Sequence, residues 1–352
     1  EVVCSGGTQS SVGRFLQRSA LNCHKPNNPF SVKPRPLCSP MGHSFTPRVL
    51  FYRLKTKRLC NSFSIPIRAG ASNHYTNASV KTASVVGGML AGADSIDDMD
   101  LLRHGGMGRL FGGVRAPSTL GTFLRSFTHG HVQQLDKVGA GLLAGLTERV
   151  PGLFAGAEEI AFLDVDDTVR EVHGYAKQGA AFGYTGVRGL NLQLATISTP
   201  TAAPVIARAR LRKGNTASAT GVGRLLAQAI NTARAAGVTG RILARADSAY
   251  YGWAFVGTAL RHKTWFSVTA RMTPSVTAAI TSISPDAWKT IEYPNAVYDE
   301  AEQRWVSDAE VAEVPFVAFT GRRKREHVAC RLVVRRVRRL RPLASDETEQ
   351  GE

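Results

Sequence analysis

The sequence predicts an α/β chain: a mixed sheet with flanking helices, preceded by a helical segment and followed by a partial β-rich insertion. Three observations carry this. Hydrophobic residues make up 43% of 352 residues, enough for roughly two domains with a substantial core. Apolar positions recur at helical spacing from about residue 79 to 150. From about Ile160, short apolar runs bounded by glycine alternate with one clear helix.

The first stretch differs from the rest. Cys4, Cys23, Cys38 and Cys60 lie in it, and only Cys330 lies elsewhere. "LNCHKPNNPFSVKPRPLCSPMGHSFTP" has a period of neither 2 nor 3.6, so residues 1–75 are expected to be a disordered or non-native leader. Upstream sequence read through is one origin for it, and a basic nucleic-acid-binding arm is the alternative. No two cysteines form C-x-x-C, which argues for reduced thiols in a cytoplasmic chain and against a zinc site or a disulfide scaffold.

Residues 76–155 read as helical. In "APSTLGTFLRSFTHGHVQQLDKVGAGLLAGL", Pro117 suits a helix start with Ser118 or Thr119 as cap, and Leu120, Phe123, Leu124 and Phe127 form a stripe at i, i+3, i+4 and i+7. This is either a DNA-binding helical domain or a plain packing bundle. His129 and His131 flank Gly130 as surface residues.

Residues 156–285 carry the strands. "IAFLDVD" is a short strand, and "AFGYTGVRGLNLQLATIST" is a hairpin leg followed by a longer one. "TGVGRLLAQAINTARAAG" is a helix with Leu225, Leu226, Ala229 and Ala233 on one face and Gly237 near its C-cap. "RILARADS" is a strand, "YYGWAFVGTALRH" a helix, "KTWFSVTAR" a strand and "TPSVTAAITSI" a helix. An antiparallel meander followed by strands with crossover helices is the order of an RNase-H-like domain. Residues 286–336 alternate polar and aromatic residues as a β-rich insertion, and 337–352 form an aberrant polar tail.

"FLDVDDTV" sets three aspartates within four positions at a strand end. Two chemistries use such a cluster. A haloacid-dehalogenase-type phosphatase would use Asp164 as nucleophile and Asp166 as acid/base, but it needs a further acidic pair after a later strand, and "ARADSAYYG" offers Asp247 alone. A metal-dependent nuclease needs one aspartate ending the first strand and another ending the strand after the crossover helix. Asp166 and Asp247 fill those places, where they would share Mg²⁺ or Mn²⁺ for an in-line displacement at phosphorus. The bland reading of each is a helix or turn cap.

The blocks "LDVDDTVREVHGYAKQGAAFGYTGVRGLN", "RADSAYYG" and "GADSIDDMDLLRHGGMGRLF" together resemble a DDE transposase of a bacterial insertion sequence, of the insertion-sequence family 1380 type, over about residues 79–336. The resemblance implies an RNase-H-like catalytic domain, cut-and-paste transposition, Mg²⁺, and binding to double-stranded DNA at terminal inverted repeats and at a target. Whether a homo-oligomer forms on DNA is left open. By the D-x-T pattern, Asp166 carries over as the first catalytic acid and Asp247 as the second, with Asp164 as runner-up for the first. The third acid does not carry over. The family-like pattern fades after "RLVVRRV", as a truncation or frameshift would leave it. Glu292, Glu300, Glu310 and Glu313 remain in the insertion. The expectation is a transposase by descent that is inactive as this chain, with a non-catalytic DNA-binding remnant as the alternative.

A formal net charge of +17 points to a polyanionic partner, most often nucleic acid. No apolar run approaches the roughly 20 residues a membrane-spanning helix needs. "GRRKRE" places Arg322, Arg323, Lys324 and Arg325 as candidate phosphate contacts, with "VVRRVRRLR" as a second cluster. Tyr250, Tyr251 and Trp253 could stack on a base, though packing onto the sheet is the plainer reading.

Overall fold

The computed structural model describes residues 2–6, 77–105, 113–174, 176–291, 297–299, 304–306 and 309–337. The chain divides into two compact units, residues 30–146 and residues 1–29 with 147–352.

The first unit is helical where described. Helix α1 (Ala78–Leu90) is followed by a 3-10 turn (Asp97–Arg103), α2 (Pro117–Arg125) and α3 (His129–Thr147). Met99, Leu102 and Leu120 form its core, with Val85, Ala93, Ile96 and Val114 packed around them. The single helix read from residue 117 onward is two helices, broken at Ser126–Thr128. Its cap also differs. Ala116 is the N-cap and Pro117 opens the helix, because a residue before proline favours the extended backbone that a cap position needs. Ser118 lies inside the helix, where its carbonyl accepts the Thr122 hydroxyl. Leu124 is exposed and does not join the Leu120–Phe123 stripe.

The second unit is built on one ten-stranded sheet. Its centre comprises β2 (Ile160–Glu171), β4 (Arg188–Ser198), β5 (Val205–Lys213), β6 (Arg241–Ala246) and β7 (Trp265–Thr269). β4 is antiparallel to both β2 and β5, whereas β2, β6 and β7 are parallel. The spatial order is therefore third, second, first, fourth, fifth, with only the second strand reversed. This is the RNase-H-like arrangement. Helix α4 (Val222–Ala235) makes the crossover from β5 to β6, and α5 (Trp253–Arg261) the crossover from β6 to β7. α4 buries Val222, Leu225, Leu226, Ala229, Ile230 and Ala233, a wide stripe at helical spacing that includes the four residues expected.

Two details differ from the sequence reading. The hairpin leg at "AFGYTG" is only the two-residue β3 (Ala181–Phe182) beside β4. The third strand of the meander is β5, which the reading passed over. Its signal is a period-2 run in which Val205, Ala207, Ala209 and Leu211 alternate with Ile206 and three arginines.

The sheet continues past β7. β1 (Val2–Gly6) lies antiparallel between β7 and β12 (Val328–Val337), which pairs in turn with β11 (Ala309–Ala318), and β11 with β8 (Lys289–Thr290). β9 (Val297–Asp299) and β10 (Arg304–Val306) form a separate two-stranded sheet. The expected disordered leader thus supplies a strand at residues 2–6, with Cys4 wholly buried and its Sγ 2.9 Å from that of Cys330. Both thiols are free. Residues 7–76, which hold the rest of the leader, and the tail from residue 338 lie outside the described residues. So do Glu292, Glu300, Arg338, Arg339 and Arg341. Helix α6 (Pro274–Thr281) is capped by the Thr273 hydroxyl. Among the described residues, no helix is long and apolar enough to cross a membrane.

Candidate active site

Strand β2 sets the site because successive side chains face opposite sides of the sheet. Leu163, Val165 and Asp167 share the face that α4 covers, and Phe162, Asp164 and Asp166 share the other.

Asp167 is the buried one. Its Oδ2 accepts Arg212 Nη2 at 2.9 Å and Asn191 Nδ2 at 2.5 Å, and both ionic side chains are under 10% exposed. Arg212 also donates to Asn191 Oδ1 and to the carbonyls of Ala217, Ser218 and Thr220, tying β2, β4 and β5 to the segment that leads into α4. Gln193, paired with Asp167 across the strands, donates to Ser218 O at 2.8 Å.

Asp164 is also occupied. Arg245, its partner on β6, grips it with Nε to Oδ1 at 2.6 Å and Nη2 to Oδ2 at 2.8 Å, and lies over the Phe162 ring at 4.4 Å. A carboxylate held by both oxygens is poorly placed to act as a nucleophile, which removes support from the phosphatase reading and from Asp164 as first acid.

Asp166 and Asp247 remain. In the parallel β2–β6 pair, Val165 lies opposite Ala246, so Asp166 and Asp247 come next in register where the two strands part. Asp247 follows the end of β6, whereas Asp166 does not end its strand as expected, because β2 runs on to Glu171 paired with β4. Asp166 Oδ1 accepts the Asp167 backbone N–H at 2.7 Å. Burial pushes the Asp166 carboxyl above its ordinary value against that hydrogen bond, and the charges of Asp247, Asp167 and Asp164 add to the rise. Asp247 caps a 3-10 turn (Ser248–Tyr250) by accepting Ala249 N at 3.0 Å. The cap reading and the site reading of Asp247 are therefore compatible: the hydrogen bond fixes one oxygen and orients the group. Two side chains hold this turn, of which the sequence reading singled out only Tyr250. Tyr250 is buried at its base, and Arg271 donates to the carbonyls of Ser248 and Ala249 at 2.9 and 3.3 Å. Tyr184, largely exposed beyond β3, lies within electrostatic reach of Asp166, Asp167 and Asp247. Burial and those three charges raise its phenol above the ordinary value.

The remaining candidates are elsewhere. Glu310 pairs with Arg336 and Glu313 with Arg331, each at 2.7 Å, on β11. β11 is four strands from β6, about 19 Å at about 4.8 Å per strand, too far to share an ion with Asp247. Among the described residues, no group of three or more His, Cys, Asp or Glu side chains is placed to hold a metal. Arg336 is committed to Glu310 and to the Trp288 ring, 3.9 Å away. Arg322, Arg323, Lys324 and Arg325 are exposed on the turn between β11 and β12. Tyr250 is core, and Tyr251 and Trp253 pack on Phe319, which favours the packing reading of these aromatics.

The family "Transposase DDE domain group 1" matches residues 55–339. The chain belongs to this transposase family. The match takes in residues 55–75, ahead of the segment that carried the resemblance. The family's reaction is cleavage and strand transfer of DNA, so DNA is the partner class. No curated protein matches the chain. Similar solved structures include "Crystal structure of the Mos1 Strand Transfer Complex", at 12% identity over 64% of this chain and 70% of that one, TM-score 0.19. "Mos1 transposase paired-end complex with left transposon end" is similar at 13% identity over 58% and 61%, TM-score 0.19. "Crystal structure of the Mos1 mariner paired end complex with Mn" is similar at 13% over 64% and 72%, TM-score 0.20. Superpositions this loose carry no argument about the site, and the fold rests on the strand order above.

Proposed function

We propose that this transposase acts on the terminal inverted repeats of a bacterial insertion sequence of the 1380 type, with Asp166 and Asp247 as the carboxylates that hold Mg²⁺ or Mn²⁺. The observation that carries the reading is the register of the adjacent parallel strands, which sets Asp166 of β2 beside Asp247 at the point where β6 ends. Their chemistry fits a hard divalent cation: they are oxygen donors, side by side, with a mutual repulsion that a cation relieves. When bound, such an ion supplies charge stabilisation at a phosphoryl oxygen and an activated attacking oxygen.

The chain's own residues do the positioning. Asp166 and Asp247 present oxygens at the open end of the sheet. Arg212, Asp167 and Asn191 fix the strand beneath Asp166, and Arg271 fixes the turn that Asp247 caps. The cations of the Arg322–Arg325 turn neutralise DNA phosphates. Among the described residues, Glu310 and Glu313 are paired with arginines and no group of three acids is placed to hold a metal, which supports the reading that the chain by itself binds element ends without cutting them.

The test is a labelled duplex carrying the parent element's ends, incubated with the chain and Mg²⁺ or Mn²⁺. Binding with no nick supports the reading in full. A nick that disappears in both Asp166→Ala and Asp247→Ala upholds the two acids and overturns the inactivity. A nick that survives either change overturns the acid assignment. A generic phosphomonoester provides the control for the phosphatase alternative, whose turnover would have to be lost in Asp164→Asn.

A further inference from the structure

The turn between β11 and β12 is a built object. Phe319, Thr320, Gly321 and Arg322 close a β-turn, with the Arg322 N–H donating to Phe319 O at 2.9 Å. A 3-10 turn (Lys324–Glu326) follows, with Glu326 N donating to Arg323 O at 2.7 Å and His327 N to Lys324 O at 3.2 Å. The Arg322 side chain donates to Glu326 at 2.6 Å, and the His327 ring nitrogen lies 3.0 Å from Arg322 O. Four cations are thus displayed against one carboxylate on a frame with little internal freedom.

What holds this frame is Phe319. It is one of three residues other than glycine with positive φ among the described residues, at 64°, a backbone region that costs energy for a residue with a Cβ. Its ring is the gain. It lies 5.2 Å from the Tyr251 ring and 6.4 Å, edge to face, from the Trp253 ring. Tyr251 ends the 3-10 turn capped by Asp247, and Trp253 opens α5. The aromatic contact therefore joins the basic turn to the segment that starts at Asp247, across parts of the chain almost seventy positions apart. Arg271 adds an exposed cation bound to carbonyls of the same segment.

We propose that Phe319 is a positioning residue that pins the Arg322–Arg325 turn to the Tyr251–Trp253 segment, so that the turn presents its cations to DNA phosphates from a fixed frame. The inference rests on the reading of that turn as a DNA contact. An unpinned turn would keep its charge but lose its fixed place, and each phosphate contact would then cost ordering at the moment of binding. Phe319→Gly separates ring from backbone, because glycine adopts positive φ freely. Loss of the ring should therefore weaken DNA binding without the backbone penalty that Phe319→Ala retains.

The experiment measures affinity for a duplex across a salt series, with thermal unfolding alongside, for five proteins: the wild type, Arg322→Ala/Arg323→Ala/Lys324→Ala/Arg325→Ala combined, Phe319→Gly, Phe319→Ala and Phe319→Tyr. The combined change should flatten the salt dependence by about three to four in log–log slope. Phe319→Gly and Phe319→Ala should each weaken binding about tenfold, with Phe319→Gly unfolding at the higher temperature of the two. Phe319→Tyr, which keeps the ring, should bind like the wild type. If the combined change weakens binding and neither Phe319→Gly nor Phe319→Ala does, the pin is overturned and the DNA contact stands. If the combined change leaves affinity and slope unaltered, the DNA contact itself is wrong.

Discussion

Asp166 and Asp167 are neighbours on one strand and face opposite sides of one sheet. On the α4 side, Asp167 is buried and its Oδ2 is met by Arg212 and Asn191. On the open side, Asp166 stands next to Asp247, with no salt bridge to either carboxylate among the described residues, and its carboxyl is pushed up by burial and by its acidic neighbours. The first arrangement is what stability selects, since a buried charge needs a partner. The second works against stability, since like charges repel where a strand end could have held any polar residue. The difference teaches which aspartate of the cluster holds the strand and which one the proposed metal site can use.

Substitutions that break the buried side should have the largest effect. Arg212→Ala strands the Asp167 charge and several carbonyls, and should destabilise the fold by about 3–5 kcal/mol in a denaturant titration. Asp164→Asn loses a two-point ion pair that is about one-third exposed, and should cost about 1 kcal/mol or less by the same titration. Asp166→Asn should cost nothing and raise the melting temperature slightly. Its folded carboxyl titrates above the unfolded one, so its contribution is most favourable at low pH and is lost as pH rises through the folded value. The asparagine protein should therefore gain relative to the wild type toward neutral pH. Melting curves from pH 3 to 7 check this, and equal curves would show that the repulsion is absent. Glu313→Gln breaks an exposed pair with Arg331 and should change stability by under about 1 kcal/mol while leaving any divalent-ion binding intact.

The same contrast marks how far the sequence could be read. The neighbouring placement of Asp166 and Asp247 was legible because an apolar run followed by a carboxylate is a local signal and the order of strands and helices brings the two together, but the strand end expected at Asp166 was not found, since β2 runs on to Glu171. Asp167's role was not legible, because its partner Arg212 is 45 positions away on β5, a strand whose arginines form one side of a period-2 run that the sequence reading did not identify. Arg245's grip on Asp164 was hidden likewise, since cross-strand partners depend on register. The single helix read across residues 117–147 failed at Ser126–Thr128, where helix-neutral residues allow a break that periodicity alone does not reveal. Residues 2–6 were assigned to a leader because their neighbours lack a pattern, yet the five-residue run pairs along both edges. Its sequence carries no record of the partners, which lie more than 250 positions on.

The most direct test of the account is a Mn²⁺ titration followed by electron paramagnetic resonance on the wild type, Asp166→Asn, Asp247→Asn, Asp164→Asn and Glu310→Gln. If Asp166 and Asp247 share one cation, the wild type should take up a single Mn²⁺ weakly. Either of the first two changes should abolish uptake, and the last two should leave it unaltered. Uptake that persists in Asp166→Asn or Asp247→Asn, or that vanishes in Asp164→Asn, would contradict it.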